Sequence, residues 1–156
     1  SALFAANTKD CATSADLSMI FDEQSYAPNQ PYSGGTVFNR HYFSLLGEFN
    51  SDEERDCAIH LDRHEEVRYW VRNVDRKKSS FWLQLPHAKF YPDFVAMLND
   101  GRILVVEYKG KHLYEAEAVK RQIGAVWEDA SNGQGLFCMP TNRDFRLIDR
   151  TISRTL

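Results

Sequence analysis

Apolar and polar positions divide the chain into an unpatterned N-terminal stretch and a regular remainder. From residue 1 to about 35 it is rich in Ser, Asn, Gln, Gly and Pro with little periodicity, and Pro28, Pro31 and Gly34-Gly35 mark loop. This stretch is expected to be a linker, with one short helix around Ala15 to Phe21. Residues 37–46 admit a short helix or a docking segment. A clear helix signal follows. Ser51 is a good N-cap with Glu54 three positions on, the capping-box spacing, and Asp52 and Glu53 suit the positive end of a helix dipole. Cys57, Ala58 and Leu61 form its apolar stripe. Val67 to Asn73, aromatic and β-branched, predicts a strand; Asp75 to Ser80 is a polar turn; Phe81 to Leu85 predicts a second strand, ended by Pro86.

Two β-rich runs, Phe90 to Leu98 and Arg102 to Lys109, flank Asn99-Asp100-Gly101, and Asp-Gly between such runs is a strong hairpin signal. After Gly110 the period changes. Ala116, Val119, Ile123, Val126 and Ala130 recur at helical spacing and predict one apolar face, ended by Gly133 to Gly135. Leu136 to Met139 predicts a short strand closed by Pro140. Asn142 to Ile152 predicts a final helix with Phe145, Leu147 and Ile148 facing inward. Helix, antiparallel strands, helix, strand and helix in that order imply an α/β sandwich, its mixed and largely antiparallel central sheet flanked by helices. Trp70, Trp82 and Trp127 are expected as core anchors.

Composition narrows the function classes. A length of 156 residues favours one domain, and 43% hydrophobic with 13% aromatic content describes an ordinary globule. No run is long and apolar enough to span a membrane, and the N-terminus lacks the basic and apolar regions of a secretory signal. The chain opens Ser-Ala-Leu without a methionine, which suggests a cloning scar or an excised fragment. Cys11, Cys57 and Cys138 lie far apart with no Cys-x-x-Cys spacing, so neither a disulfide framework nor a zinc knuckle is expected, and a reducing, cytoplasmic setting is. The formal net charge of -3 runs against a self-sufficient DNA binder. A nucleic-acid role then needs local positive charge or partner domains that hold the substrate.

The hairpin carries the candidate chemistry. Strand side chains alternate faces, so Ile103, Val105, Glu107 and Lys109 share one, and Glu107 and Lys109 emerge together where it reaches the strand end. On the first arm Pro92 donates no ladder hydrogen bond and favours a bulge, which turns Asp93 toward Glu107; pairing about a turn centred on Asp100 sets the two opposite each other. Phosphodiester cleavage needs such a set. Magnesium takes one or two carboxylates and several waters, and a nearby lysine can hold the attacking water and balance charge on phosphorus. The plain alternative is a solvated cross-strand pair beside a turn aspartate.

Tyr91-Pro92-Asp93-Phe94 followed by Glu107-Tyr108-Lys109-Gly110 resembles the core of the PD-(D/E)xK nuclease superfamily. The wider text resembles the C-terminal endonuclease domain of type III restriction enzymes, whose other domains form a DEAD/DEAH-type helicase. The residues involved are Ser51 to Ala58, Trp70 to Asn73, Phe90 to Val95, Gly101 to Gly110, and Gly124 with Trp127, within roughly residues 36–150. The resemblance implies a restriction-endonuclease-like domain over 36–156, double-stranded DNA as substrate, and Mg²⁺ with Mn²⁺ able to substitute. It also implies metal ligands from Asp93, Glu107 and the main-chain carbonyl of Tyr108, with Lys109 as catalytic lysine. An acidic residue on the first helix is expected too, Glu53 or Glu54; Glu54 is preferred because it lies one turn before Ala58, and helix capping is its competing role. No Gly-x-x-x-x-Gly-Lys-Ser/Thr loop is present, so a helicase or ATPase would be another domain of the same protein or a partner chain. A homodimer is left open.

Other candidates are plainer. His60 and His64 share a helix face and could bind zinc, but no third ligand is placed and a solvated helix end is the alternative. Arg72, Asn73, Arg76, Lys77 and Lys78 form a basic patch; Arg72, Lys77 and Lys78 are expected phosphate contacts, or else a solvated loop. Lys120 is expected to face the groove of Lys109 and contact DNA, or to be an ordinary surface lysine. Two function classes remain: a DNA-cleaving enzyme, and a nuclease-fold binding or scaffold module that does not cut on its own.

Overall fold

The computed structural model describes Phe21, residues 26–110 and residues 114–154. The helix expected around Ala15 to Phe21 lies outside these residues, Phe21 excepted, as does Cys11. Helix α1 (Asp52–Arg63) begins at the expected cap: the Ser51 hydroxyl accepts from Glu54 N at 3.1 Å and the Glu54 carboxylate accepts from Asn50 N at 3.3 Å. Strand β1 (Val67–Arg72) follows, then β2 (Leu83–Gln84), β3 (Lys89–Phe90), β4 (Phe94–Leu98) and β5 (Ile103–Val106). Helix α2 (Tyr114–Ala130), strand β6 (Gly135–Cys138) and helix α3 (Arg146–Ile152) complete the order.

The main sheet runs β1-β4-β5-β6, antiparallel except for the parallel β5–β6 pair. The architecture is therefore mixed α/β with a mixed four-stranded sheet and, among the described residues, three helices. One face packs Trp70, Phe94, Leu104 and Val106 against Cys57, Ala58 and Leu61 of α1 and Ile148 and Ile152 of α3. The other packs Val71, Val95, Val105 and Phe137 against Trp127 and Ile123 of α2, against Phe81 just before β2, and against Leu83 and Phe90 of the β2–β3 pair. Among the described residues no helix is long and apolar enough to cross a membrane.

Several expected boundaries are corrected. The run Phe90 to Leu98 is two strands, because Pro92 has no N–H to give a ladder; β2 and β3 form a separate two-stranded sheet. Residues 37–46 contain no helix. They are tied down by Asp62, which accepts from Asn39 N, Arg40 N at 2.7 Å and Trp70 Nε1 at 2.9 Å. Residues 26–35, expected in the linker, pack into the domain: the Tyr26 hydroxyl donates to Arg72 O and accepts from Gly47 N, and Tyr32 N donates to Leu46 O. Helix α3 starts at Arg146, not Asn142, because Asn142 and Arg143 hold φ of 53° and 54°, which no α-helix accommodates. Trp70 and Trp127 are core anchors, but Trp82 is only part-buried.

Helix α2 presents a face that only partly matches the one its apolar spacing predicts. Val126 is 40% exposed, whereas Glu117, Gly124, Trp127 and Ser131 are buried with Lys120 partly so. Ile123 of the predicted face still packs on the core, but Glu117, Gly124 and Trp127, each one residue beyond a predicted position, are the helix's most buried residues among those described. Glycines explain the seating. A Cβ on Gly124 would overlap the Phe137 ring, and one on Gly135 would overlap the Trp127 ring, so helix and strand each accept the other's aromatic side chain. That register aims Glu117 and Lys120, both polar, at the end of the sheet.

Candidate active site

The site grows from one register. Phe94 pairs with Val106 and Val95 with Val105, so the next step along the hairpin sets Asp93 opposite Glu107. Asp93 lies in the break between β3 and β4, and Asn73 holds that break in place. The Asn73 backbone donates to Asp93 O at 2.9 Å; its side chain donates to Pro92 O and Phe81 O, both at 2.8 Å, and accepts from Phe81 N at 3.0 Å. Sequence reading assigned Asn73 no role in this break, yet its side chain satisfies the Pro92 carbonyl and both backbone groups of Phe81, tying the break to the segment before β2. Asn73→Ala orphans three buried backbone groups, at about 1–3 kcal/mol each where water cannot enter. We expect a loss of at least about 2 kcal/mol in urea unfolding; an unchanged midpoint would mean the break holds itself.

Asp93 and Glu107 face each other across the hairpin register, with side chains 13% and 10% exposed. Tyr108 N donates to Asp93 Oδ2 at 2.8 Å. Glu107 Oε2 accepts from Lys120 Nζ at 2.8 Å, while Glu107 Oε1 is buried with no donor among the described residues. Two carboxylates in this arrangement need a shared proton or a cation between them. Burial, then the facing Glu107 charge, pushes the Asp93 carboxyl well above its usual range, and burial also raises Glu107 against the pull of Lys120. Burial alone would lower the Lys120 ammonium, but Glu107, Glu117 and Asp93 together hold it above its usual range.

Arg72 links this pair to the first helix. Its guanidinium lies 2.6 Å from Glu54 Oε1 and 3.5 Å from Asp93 Oδ1, and it donates to Glu48 O and Asp93 O. It is buried in β1 over the Phe49 and Phe94 rings, an internal bridge and not a member of a surface patch. Burial, then Asp93, pushes the Glu54 carboxyl up to about 7. Of the two helix acids, Glu54 therefore faces the site while also receiving Asn50 N, as capping implied. Glu53 points elsewhere: it accepts from the Tyr108 hydroxyl at 2.8 Å, which in turn accepts from Arg143 N.

A cavity of about 460 Å³ opens onto Arg72, Asn73, Tyr91, Asp93, Glu107 and Lys120. Lys109 is not among its lining residues. It is half-buried at the strand end, its N–H donating to Pro140 O at 2.9 Å. Lys77 and Lys78 sit exposed on the turn after β1, outside the cavity. Lys120, expected to contact DNA, is paired with Glu107. Glu117 escaped sequence reading: it is buried 3.7 Å from Lys120 Nζ, with Oε2 lacking a donor among the described residues. Its signal was spacing, since Glu117, Lys120, Gly124 and Trp127 fall on one helical stripe.

His60 and His64 do find a third group. Both Nε2 atoms meet Asp149 Oδ1, at 2.7 and 3.2 Å. His64 Nδ1, however, accepts from Glu66 N at 3.1 Å, which leaves the proton on Nε2 and makes a clamp between α1 and α3, not a ligand set. Among the described residues no three His, Cys, Asp or Glu side chains form a metal-holding group. Asp93 and Glu107 supply two carboxylates, the number a largely hydrated magnesium takes from protein. The buried Glu107 Oε1, without a donor among the described residues, fits such an ion. No family model matches this chain, and no curated protein or solved structure shows significant similarity to it.

Proposed function

We propose that this chain is a metal-dependent endonuclease domain of the PD-(D/E)xK kind, cleaving DNA phosphodiester bonds. The supporting observation is the in-register pair Asp93 and Glu107, with a buried carboxylate oxygen that no donor among the described residues satisfies. Asp93, Glu107 and the Tyr108 carbonyl would hold Mg²⁺ or Mn²⁺. The ion, when bound, neutralises phosphate charge and acidifies a coordinated water. Tyr108 N fixes the Asp93 carboxylate, and Asn73 fixes the backbone that carries it. Glu54, joined through Arg72, supplies a carboxyl balanced near neutrality that can take a proton beside the reacting centre. Lys109, next on the Glu107 face, orients the attacking water and meets charge developing on phosphorus. Double-stranded DNA is the proposed substrate, held with a helicase domain in the manner of type III restriction enzymes.

Lys109→Ala tests the assignment. Cutting should fall by roughly 10² to 10³, the usual effect of removing one charge-stabilising donor, while the rise in melting temperature given by Mn²⁺ persists. Wild-type cutting by the variant would remove Lys109 from the chemistry. A non-cleaving scaffold is the second reading, favoured by one observation: Lys120 and Arg72 already neutralise the acids from within. No cutting by the wild-type chain joined to a helicase partner, under any divalent metal, would select it.

A further inference from the structure

Lys120 occupies an unusual place for a helix lysine. Its ammonium lies 2.8 Å from Glu107 Oε2 and 3.7 Å from Glu117 Oε1, with the Phe90 ring centroid 5.0 Å away. It therefore stands between two carboxylates, closely paired with one and at the margin of pairing with the other. Both retain unused capacity, because Glu107 Oε1 and Glu117 Oε2 are each buried with no donor among the described residues. A buried carboxylate oxygen left without a donor is costly, so the arrangement favours one more positive charge than it holds. Lys120 also has room to move: it is 24% exposed, and it lines both the active-site cavity and a neighbouring one of about 490 Å³ beside β3. A lysine ammonium carries three donors on a flexible stem and can change partners without repacking its helix.

We infer that Lys120 is a resident counter-cation, which leaves Glu107 when that residue takes up a divalent ion, and that Glu117 receives it. This rests on reading Asp93 and Glu107 as a cation site. Glu107 Oε2 cannot serve both cations fully, so ammonium and metal compete. Glu117, one turn back on α2, is placed to accept the released ammonium after a shift of about 1 Å, to ordinary charge-assisted hydrogen-bond length. Glu117 then supports metal binding without touching the ion, and Lys120, once released, faces the cavity where phosphate would enter.

Calorimetric titration of Mn²⁺ into the full chain decides the matter without a cleavage assay. Lys120→Gln should bind Mn²⁺ more tightly than wild type, by roughly 5- to 150-fold, the span of coupled sites. Glu117→Gln should bind it at least about fivefold more weakly, with the metal-free melting temperature nearly unchanged. Glu107→Gln should not bind. Equal or weaker binding by Lys120→Gln overturns the competition, and wild-type binding by Glu117→Gln overturns the hand-over. If Lys120→Gln fails to fold, Glu117→Gln still decides. Undiminished binding by Glu107→Gln would instead remove the cation site itself, and no binding by any of the proteins would overturn both.

Discussion

Asp93→Asn should abolish DNA cleavage and make the metal-free protein more stable. The rate loss should be at least about 10⁴-fold, the scale seen when one member of a catalytic unit is removed. The Mn²⁺ thermal shift should vanish with it. Stability should rise because Asp93 is a buried carboxyl pressed against Glu107 and held with its affinity for protons raised; an amide of the same shape removes that repulsion. The effect on pH dependence follows. Glu54 is pushed from 4.5 to about 7, and Asp93 and Glu107 move in the same direction. An acid with a raised folded-state pKa keeps its proton where the unfolded chain gives it up, so its stabilising contribution is complete below 4.5 and is lost as pH climbs to about 7. The metal-free wild type should therefore melt at a higher temperature near pH 5 than near pH 7.5, opposite to ordinary acid sensitivity. Asp93→Asn removes one of these groups and the main charge acting on Glu54, so its slope should be shallower. A variant that melts below wild type at pH 7.5, or keeps the full slope, would sink this account of the site's electrostatics.

Trp127→Ala should be the most damaging single truncation on the α2 side of the sheet. The indole is 1% exposed, meets the Phe81 ring edge-on at 5.7 Å and lies over Gly135. Emptying such a site costs about 3–5 kcal/mol, and at about 2–4 °C per kcal/mol in a domain of this size the melting temperature should fall by about 6–20 °C. Mn²⁺ affinity should change with it, since the Trp127 and Gly124 seating sets the rotation that brings Lys120 to Glu107. A loss below about 1 kcal/mol would show that the helix closes over the gap.

The hairpin was legible because its information is local. Asp100-Gly101 sets the turn, the turn sets the register, and the register sets Asp93 against Glu107. The cap at Ser51 was legible for the same reason. The polar part of the α2 contact face was not, because apolar spacing is a guide only where the buried stripe is apolar. Here Glu117 and Lys120 face inward to meet charges supplied by another element, and a rule that sorts polar residues outward misses them. Arg72 failed similarly: a guanidinium reads as surface until Glu54 and Asp93 are known to flank it. The Pro92 break was visible as a missing donor, but Asn73, which holds it in place, lies just past the end of β1, far away in sequence.

The parallel pairing of β5 with β6 bears on the order in which the chain assembles. β4 and β5 are joined by a tight turn, and hairpins of that kind close in about 1–10 μs. β6 can join β5 only after the intervening chain, α2 included, has folded back across the sheet, a non-local closure that comes later. Asp93 and Glu107 ride on the early unit, whereas Lys120 rides on the late one. The nascent domain thus brings Asp93 and Glu107 face to face before Lys120 can reach them, so the ammonium on Glu107 is among the last pieces of the site to arrive.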